Sequence, residues 1–439
     1  MKIGIRREDK NQWGGRAPLI PEHIKELSRK SGLRFYVQPS DIRAFSAEEF
    51  RQAGAEIRED LSVCPVICAV KEIPVDYFLP DRTYLFFSHT IKGQMNNMPM
   101  LKKMMELGDT LIDYEKIVDE KGKRLVFFGR FAGIAGMIDS FWTLGRRLDF
   151  EGSPTIFSEF KPALHHKSLP EIIGQYREIG KRIASRGISG VDVPLIFGFA
   201  GYGNVSRGAQ EIFDLLPFEE LRPEELADFY HKAVFSTKKL YKVVFKEEHL
   251  AKPKLPGAVF KLQDYYDNPQ NYESRFEEYL PYLSVLINAI YWDKKYPRLV
   301  TRKYLSEAYQ TGCGLPLKVI GDITCDMGGS IECNLECTDS GNPVYVYEPL
   351  TGKKIYGVEG HGPVILAVDN LPCELPRESS TMFSEVLKNF IARLASTDFS
   401  VGFEENRMPP ELKNATVLYK GQLTPRYRYL EKYLAKPDL

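Results

Sequence analysis

The chain has 439 residues, 43% of them hydrophobic and 12% aromatic, and its 59 basic and 59 acidic residues cancel. That length calls for two or three domains, and the composition excludes a disordered or fibrous chain. The balanced charge gives no broad field for nucleic acid or an anionic membrane, and no apolar run reaches the ~18 residues of a membrane span. The opening "MKIGIRRED" turns polar at once, so no leader is read and the cytoplasm is the expected compartment. Seven cysteines, an odd number in a long chain, read as free thiols. Cys325, Cys333 and Cys337 lie close in sequence, but no histidine is near and no C-x-x-C occurs, so no metal site is expected.

The first stretch alternates strands with helices. "KIGIRR" (2–7) predicts a strand, and "PEHIKELSRKSG" (21–32) predicts an amphipathic helix with Pro21 at its start and Gly32 past its end. "RFYVQP" is the next strand, and Ser46 with Glu49 form the capping-box pattern that opens "AEEFRQAGA". "VICAVKEI", "TYLFFSHT", a Met-rich helix around 97–107, "TLIDYEKI" and "LVFFG" (125–129) continue the series. Such alternation predicts a parallel, doubly wound sheet over residues 1–130. "GIAGMIDSFWTLGRRL" (133–148) predicts a long helix, and the chain to about 190 is mostly helical. After a Gly-rich turn comes a less regular region (220–280) rich in Lys, Tyr and Pro. Strands follow in "YLSVLINAIYW" (282–292) and "PLKVIGDITCDMGGSIE" (316–332), then a hairpin-like segment (343–358), "PVILAVDNLPCELP" (363–376), a last helix (379–395) and a polar tail. The fold expected is α/β: two Rossmann-like doubly wound domains, with the dinucleotide-binding one inserted into the other. The boundaries expected are 1–132 and 375–439 for the substrate domain and 133–374 for the dinucleotide domain, with the cleft between them as the site.

The Gly-rich turn carries the cofactor expectation. In "VPLIFGFAGYGNVSRGAQEIF" a buried strand meets Gly198, Gly201 and Gly203 and then a helix starting near Val205. Such a turn lets the backbone approach a pyrophosphate while the helix N-terminus offers free N–H groups to its charge. The fingerprint is imperfect, since Ser206 stands at the third glycine position and Gly208 comes two residues late. A Gly-rich strand–helix turn without a nucleotide is the plain alternative. The second strand should end about twenty residues on, near "FEELRP", where an acid would accept from an NAD ribose and an arginine would suit the 2′-phosphate of NADP. Glu219 and Glu220 precede Arg222 there, which leans towards NADP(H) over NAD(H).

Polar residues stand out at expected strand ends of the first domain. Lys71 ends "VICAV", His89 ends "YLFFS" with Lys92 and Gln94 just after, Glu115 follows "LID", and Arg16 lies in the loop "WGGRAPLIP". Side chains at the carboxyl ends of parallel strands face the ligand crevice. A lone strand-end lysine is ordinarily a solvated charge, and a lone histidine a hydrogen-bonded structural residue. Placed together on one sheet, they point to acid–base chemistry. Arg16 and Arg124 are suited to grip carboxylates in two-pronged fashion.

At these residues the chain resembles a known family. "KIGIRREDKNQWGGRAPLIPEHIKEL", "AVKEIP", "FFSHTIKGQ", "LIDYEKIVDEKGKRLVFFGRFAGIAGM", "GYGNVSRGAQEIF", "GDITCDMGGSIE" and "VDNLPCELPRESS" occur in that order. They resemble the lysine–2-oxoglutarate reductase part of bifunctional lysine-degrading enzymes. More distantly they are similar to fungal saccharopine dehydrogenase and alanine dehydrogenase. The likeness runs from residue 1 to about 430. It implies an NADPH-linked oxidoreductase that joins the ε-amine of lysine to 2-oxoglutarate and reduces the imine to saccharopine. It implies Lys71 and His89 as the acid–base pair, and Arg16, Lys92, Gln94 and Arg124 as substrate carboxylate binders with Glu115 tuning their charge. Gly201, Gly203, Asn204 and Val205 would hold the pyrophosphate, and Asp322, Asp326, Asn370 and Leu371 would line the nicotinamide side. Where the family reads W-E-R-R-A-P, this chain has Trp13-Gly14-Gly15-Arg16-Ala17-Pro18.

The chain stops at Leu439, so a monofunctional reductase is expected, or one paired with a separate saccharopine-cleaving dehydrogenase. Two other readings stay open: reductive amination of a small 2-oxo acid in the manner of alanine dehydrogenase, and a cofactor-binding regulator without turnover.

Overall fold

A computed structural model of the chain describes residues 1–435 apart from 192, 233, 311 and 313. The chain divides into two compact units, Met1–Phe128 with Pro376–Leu439, and Gly129–Leu375.

In the first unit β1 (Lys2–Ile5), β2 (Arg34–Val37), β3 (Glu56–Ile57), β4 (Val66–Cys68), β5 (Thr83–Phe86) and β6 (Thr110–Asp113) alternate with helices α1 (Pro21–Ser31), α2 (Ala47–Gln52) and α3 (Met98–Glu106). Local chemistry sets the helix ends. Pro21 opens α1, and Gly32 closes it with φ +62° while its N–H returns to Ser28 O at 3.1 Å. On α2, Glu49 N donates to Ser46 Oγ at 3.2 Å and Ser46 N to Glu49 Oε2 at 2.7 Å, the capping box read from sequence. The segment "LVFFG" forms no strand: Arg124 makes a single bridge to Val118, and a helix begins at Gly129. Its apolar residues serve packing instead, Phe128 stacking on Phe383 with centroids 4.5 Å apart.

The second unit opens with the long helix α4 (Gly129–Phe150), then α5 (Leu169–Arg186), β7 (Ile196–Ala200), α6 (Asn204–Phe213), β8 (Phe218–Glu220), β9 (Leu240–Phe245), β10 (Ala251–Pro253), β11 (Tyr272–Ser274), β12 (Val285–Asn288), β13 (Val319–Asp322), β14 (Val344–Glu348), β15 (Lys353–Tyr356) and β16 (Val364–Leu366). Its main sheet has the order β15-β14-β16-β13-β12-β7-β9-β8. From β16 to β8 the pairs are parallel, and β14 and β15 form the antiparallel hairpin at the other edge. The strand order reverses between β7 and β12, which is where a doubly wound sheet opens a crevice. Helix α4 is buried along most of its length and lies tightly on α6. A Cβ on Gly133 would stand 1.9 Å from Val205 O, and one on Gly208 would stand 2.0 Å from Arg130 O.

The chain then returns to the first unit through the helix Pro376–Leu394 and adds β17 (Thr416–Tyr419) and β18 (Gln422–Leu423). The completed sheet reads β18-β17-β6-β5-β4-β1-β2-β3, parallel from β6 to β3 and antiparallel at β17 and β18. Its own switch point lies between β1 and β4.

At the amino ends of β5 and β6, Asp109 is fully buried. One of its oxygens accepts from Arg82 N at 2.9 Å, and the other has no partner among the described residues. Burial pushes its carboxyl up to about 7 from 3.8. Below 3.8 the group is protonated in both states. As pH rises towards 7 the unfolded chain ionises first, so this stabilisation is lost through that window. The stability of Asp109→Asn relative to the parent should therefore improve between pH 4.5 and pH 8 by about 1–3 kcal/mol. Urea titrations at both pH values check this, and a pH-independent difference would contradict it.

Candidate active site

The first unit brings its polar residues to the carboxyl ends of β1, β4, β5 and β6, on and beside its switch point. Strand β4 ends at Cys68, and Lys71 stands three residues later, in a loop pinned by one carboxylate. Glu8, which follows β1 and is buried, accepts from Val70 N at 2.7 Å and Lys71 N at 2.8 Å. Burial raises its carboxyl, and those two N–H groups with the charge of Arg16 pull against it.

His89 follows β5 in the left-handed region at φ +48°, unusual for a residue with a side chain. Its neighbours fix that turn: Ser88 Oγ donates to Asp113 Oδ2, Ser88 and Thr90 hydroxyls meet at 2.7 Å, and Glu115 N donates to Asp113 Oδ1 at 2.8 Å. The ring lies near parallel to Phe87, and Nδ1 is 2.6 Å from Glu72 Oε1. Lys10 Nζ reaches the other oxygen of Glu72 at 3.1 Å. Burial works to raise Glu72, but the His89 hydrogen bond and charge and Lys10 outweigh it and hold the carboxyl down at about 2. Glu72 is thus an ionised partner that fixes the imidazole and leaves Nε2 for exchange. In the sequence Glu72 sits inside "AVKEIP" with no local sign of a role. Only its proximity to His89, seventeen positions on, reveals one.

Arg16 is 2% exposed, with its guanidinium 4.4 Å above the Phe128 ring, and its Nε has no acceptor among the described residues. A buried guanidinium with an unfilled donor suits a carboxylate ligand. The two glycines before it are packed rather than open. A Cβ on Gly14 would come 2.9 Å from Glu8 Cβ, and one on Gly15 would come 2.9 Å from Ile42 O. Arg124 and Glu115 pair with each other. Gln94 Oε1 accepts from Lys92 N at 3.0 Å, so this amide shapes the turn and keeps only its NH2 for a ligand. Lys92 is exposed.

In the second unit Gly201 takes φ +93°, and a Cβ there would meet Ile290 Cγ2 at 3.0 Å and Ala289 O at 3.2 Å. A Cβ on Gly203 would meet nothing within 4 Å. Gly203 is the N-cap of α6 without a side-chain cap, so the N–H groups of Asn204 and Val205 in the first turn are left to an outside acceptor. This cradle fits a dinucleotide pyrophosphate. The close helix packing normally left to a third glycine falls to Gly208 against α4, while Ser206 is buried and accepts from Gln210 Nε2 at 3.0 Å.

Two of the expected residues have other partners in the fold. Arg222 follows β8, a three-residue edge strand, and β9 separates that strand from β7. Its guanidinium is engaged by Glu225, with Nε to Oε1 at 3.0 Å. The strand between β7 and β8 is β9, and the residue just past its carboxyl end is Lys246, then Glu247. Asp322 does not line an open surface. It is 1% exposed and accepts from Thr324 Oγ1 at 2.7 Å and from Asn288 Nδ2 and Asn334 Nδ2 at 2.8 Å. It therefore ties the loop after β13 to β12. Asp326 is exposed on that loop. Asn370 caps the turn Leu371–Glu374, and Leu371 is buried 3.2 Å from the position of a Cβ on Gly136 of α4.

The N-terminal domain of the alanine dehydrogenase/PNT family matches residues 4–135, and the C-terminal domain of that family matches residues 220–426. The chain is 38% identical to an alpha-aminoadipic semialdehyde synthase of Arabidopsis thaliana over 98% of its own length and 41% of that protein. It is 36% identical to the mitochondrial alpha-aminoadipic semialdehyde synthase of Mus musculus, covering 98% of this chain and 47% of the other. It thus spans somewhat under half the length of these curated relatives. Saccharopine dehydrogenase [NAD(+), L-lysine-forming] of Emericella nidulans is 25% identical, covering 90% of this chain and 92% of that one. Among solved structures, an L-alanine dehydrogenase superposes with a TM-score of 0.63 at 16% identity, over 99% of this chain and 100% of the other.

Proposed function

Because the chain belongs to the alanine dehydrogenase/PNT family, we propose that it is a nicotinamide-dependent oxidoreductase that condenses L-lysine with 2-oxoglutarate and reduces the imine to saccharopine. Likeness to alpha-aminoadipic semialdehyde synthases over nearly all of the chain supports the substrates. One observation carries the chemistry: Glu8, which feels the charge of Arg16, holds the Lys71 loop by its Val70 and Lys71 amides, and in the same unit Glu72 fixes the His89 ring at 2.6 Å.

Each residue type has a task in that reaction. The lysine ε-amine must lose a proton to attack the ketone, and the addition product must lose water, so a proton has to be taken and returned. His89 Nε2, with Nδ1 engaged by Glu72, is the group for that shuttle, and Lys71 is the second. Arg16 holds one substrate carboxylate, and Lys92, Gln94 and Arg124 meet the others, Arg124 by exchanging Glu115 for the ligand. When bound, the nicotinamide supplies the hydride. Gly201, Gly203, Asn204 and Val205 would hold its pyrophosphate, and Asp326 and Asn370 would line the nicotinamide side. Saccharopine would then pass to a saccharopine-cleaving dehydrogenase.

The test is oxidation of reduced nicotinamide cofactor, NADH and NADPH separately, by the purified protein. Turnover with lysine plus 2-oxoglutarate, and none with pyruvate plus ammonia, is the expected result. Turnover with pyruvate would move the reading to a small amino-acid dehydrogenase, and failure with both pairs would overturn it.

A further inference from the structure

Cys325, Cys333 and Cys337 are close in sequence but differ in the fold. Cys333 is buried, as are Cys64, Cys68 and Cys373, whereas Cys337 is exposed and Cys325 half-buried beside it. Cys325 stands in the left-handed region at φ +54°, in the turn after β13 where its N–H donates to Asp322 O at 3.1 Å. That turn brings it against the second cysteine: Cys337 Sγ donates to Cys325 O at 3.1 Å, and Cys325 Sγ donates to Ala367 O at 2.8 Å. The two sulfurs are also hydrogen-bond partners of each other. Backbone holds the pair from the other side. Thr338, next to Cys337, pairs with Val368 and donates from N to that same Ala367 O at 2.8 Å. Both cysteines are thus anchored on the chain just past β16.

We propose that Cys325 and Cys337 are a redox-active dithiol, which a peroxide converts to a disulfide that closes the loop after β13. A disulfide forms without backbone rearrangement only between thiols already in contact, and these meet that condition. Cys337 is the attacking group. When it ionises, the Cys325 S–H serves it as donor, which lowers Cys337 and raises Cys325 and outweighs burial and the charges of Asp369, Asp322 and Asp326. Those three acids also disfavour an anionic oxidant, which leaves a small neutral one, hydrogen peroxide. The Cys337 thiolate attacks one peroxide oxygen, the O–O bond breaks, and the departing hydroxide takes up a proton as water. The Cys325 sulfur then attacks the sulfenic sulfur of Cys337, its proton leaves with the hydroxyl as a second water, and the S–S bond forms. Two thiols lose two electrons and two protons, and the peroxide is reduced to two waters. The ring so closed holds Asp326. Its far end is paired to the segment that runs on to Asn370, with Asp369 N donating to Thr338 O at 3.1 Å. On the reading above, oxidation would therefore tie together two segments on the nicotinamide side.

The test treats the full, reduced chain with hydrogen peroxide in small molar excess, with neither substrate nor dinucleotide, so its outcome is independent of the activity proposed above. Two thiols per chain should be lost and regained with dithiothreitol, and unreduced peptide mapping should recover Cys325 joined to Cys337. The other described cysteines should stay reduced, since burial shields them and pushes Cys64 up to about 11 and Cys68 to about 12. Cys337→Ser should slow the loss of thiols at least about tenfold, and Cys325→Ser should stop at a sulfenic acid on Cys337 that dimedone traps. Cys313 lies outside the described residues, so the same results are expected in a Cys313→Ser background. Thiols that survive peroxide, a parent chain that stops at the sulfenic or sulfinic acid, or a bridge formed by any other pair would overturn the proposal.

Discussion

Replacing His89 with alanine should lower kcat for lysine plus 2-oxoglutarate by about 10²–10⁴-fold while leaving dinucleotide affinity within about twofold. The expectation rests on how much of the surrounding structure is spent on this ring. A non-glycine residue at φ +48° costs free energy, and it is held there by two buried hydroxyl residues and the Asp113 carboxylate. Glu72, which burial works to raise but His89 and Lys10 hold ionised at about 2, fixes the imidazole. His89→Asn separates chemistry from backbone shape, since asparagine accepts the left-handed region but cannot relay a proton. The same large loss is expected for it. Near-normal turnover in His89→Asn would show that the position serves only the turn. Glu72→Gln keeps a hydrogen-bonding partner and loses the charge, so about a tenfold drop with a shifted acid limb of the pH–rate profile is expected.

The largest structural effect should come from Gly208→Ala, which we expect to destabilise the protein by at least about 3 kcal/mol, or roughly 6–12 °C in Tm. The added carbon would stand 2.0 Å from Arg130 O, a backbone atom of the neighbouring helix that no rotamer change can move. Gly133→Ala meets Val205 O at 1.9 Å and should behave alike. Gly203→Ala is the contrasting variant. Its Cβ meets nothing within 4 Å, so stability should hold while dinucleotide affinity falls, because the space it fills is the cradle. Thermal unfolding with and without dinucleotide separates the two classes. A Gly208→Ala protein as stable as the parent would mean that α4 and α6 can part at little cost.

Elements with strong local signals were legible in the sequence. Pro21 and Gly32 bracketed α1, and Ser46 with Glu49 marked α2, because those effects act within a few residues. The turn at Gly201 and Gly203 was visible for the same reason. What escaped depended on strand order. β9 was lost in a stretch whose Lys, Tyr and Pro content looked irregular, so β8, nearer the expected distance, was taken for the neighbour of β7. Glu72 and Glu8 escaped because their partners, His89 and the Val70–Lys71 amides, come from other strands. Asp322 was expected to line the nicotinamide side; it ends β13, but which strand ends are sealed by neighbouring loops is a matter of packing, and Asn288 and Asn334 seal this one.

The first sheet is finished by a strand that arrives very late. β6 is wholly buried against β17, which follows it by about 300 residues. At ribosomal rates of about 5–20 residues per second, β6 would wait roughly 15–60 s as an open edge while the entire second unit emerges. During that interval the nascent chain presents the unpaired, hydrophobic Thr110–Asp113 ladder to any other strand nearby. Yield in cells should therefore depend more on holding chaperones and slow expression than the finished molecule's stability would suggest, and mutations that slow the second unit's folding should show up as aggregation through the first.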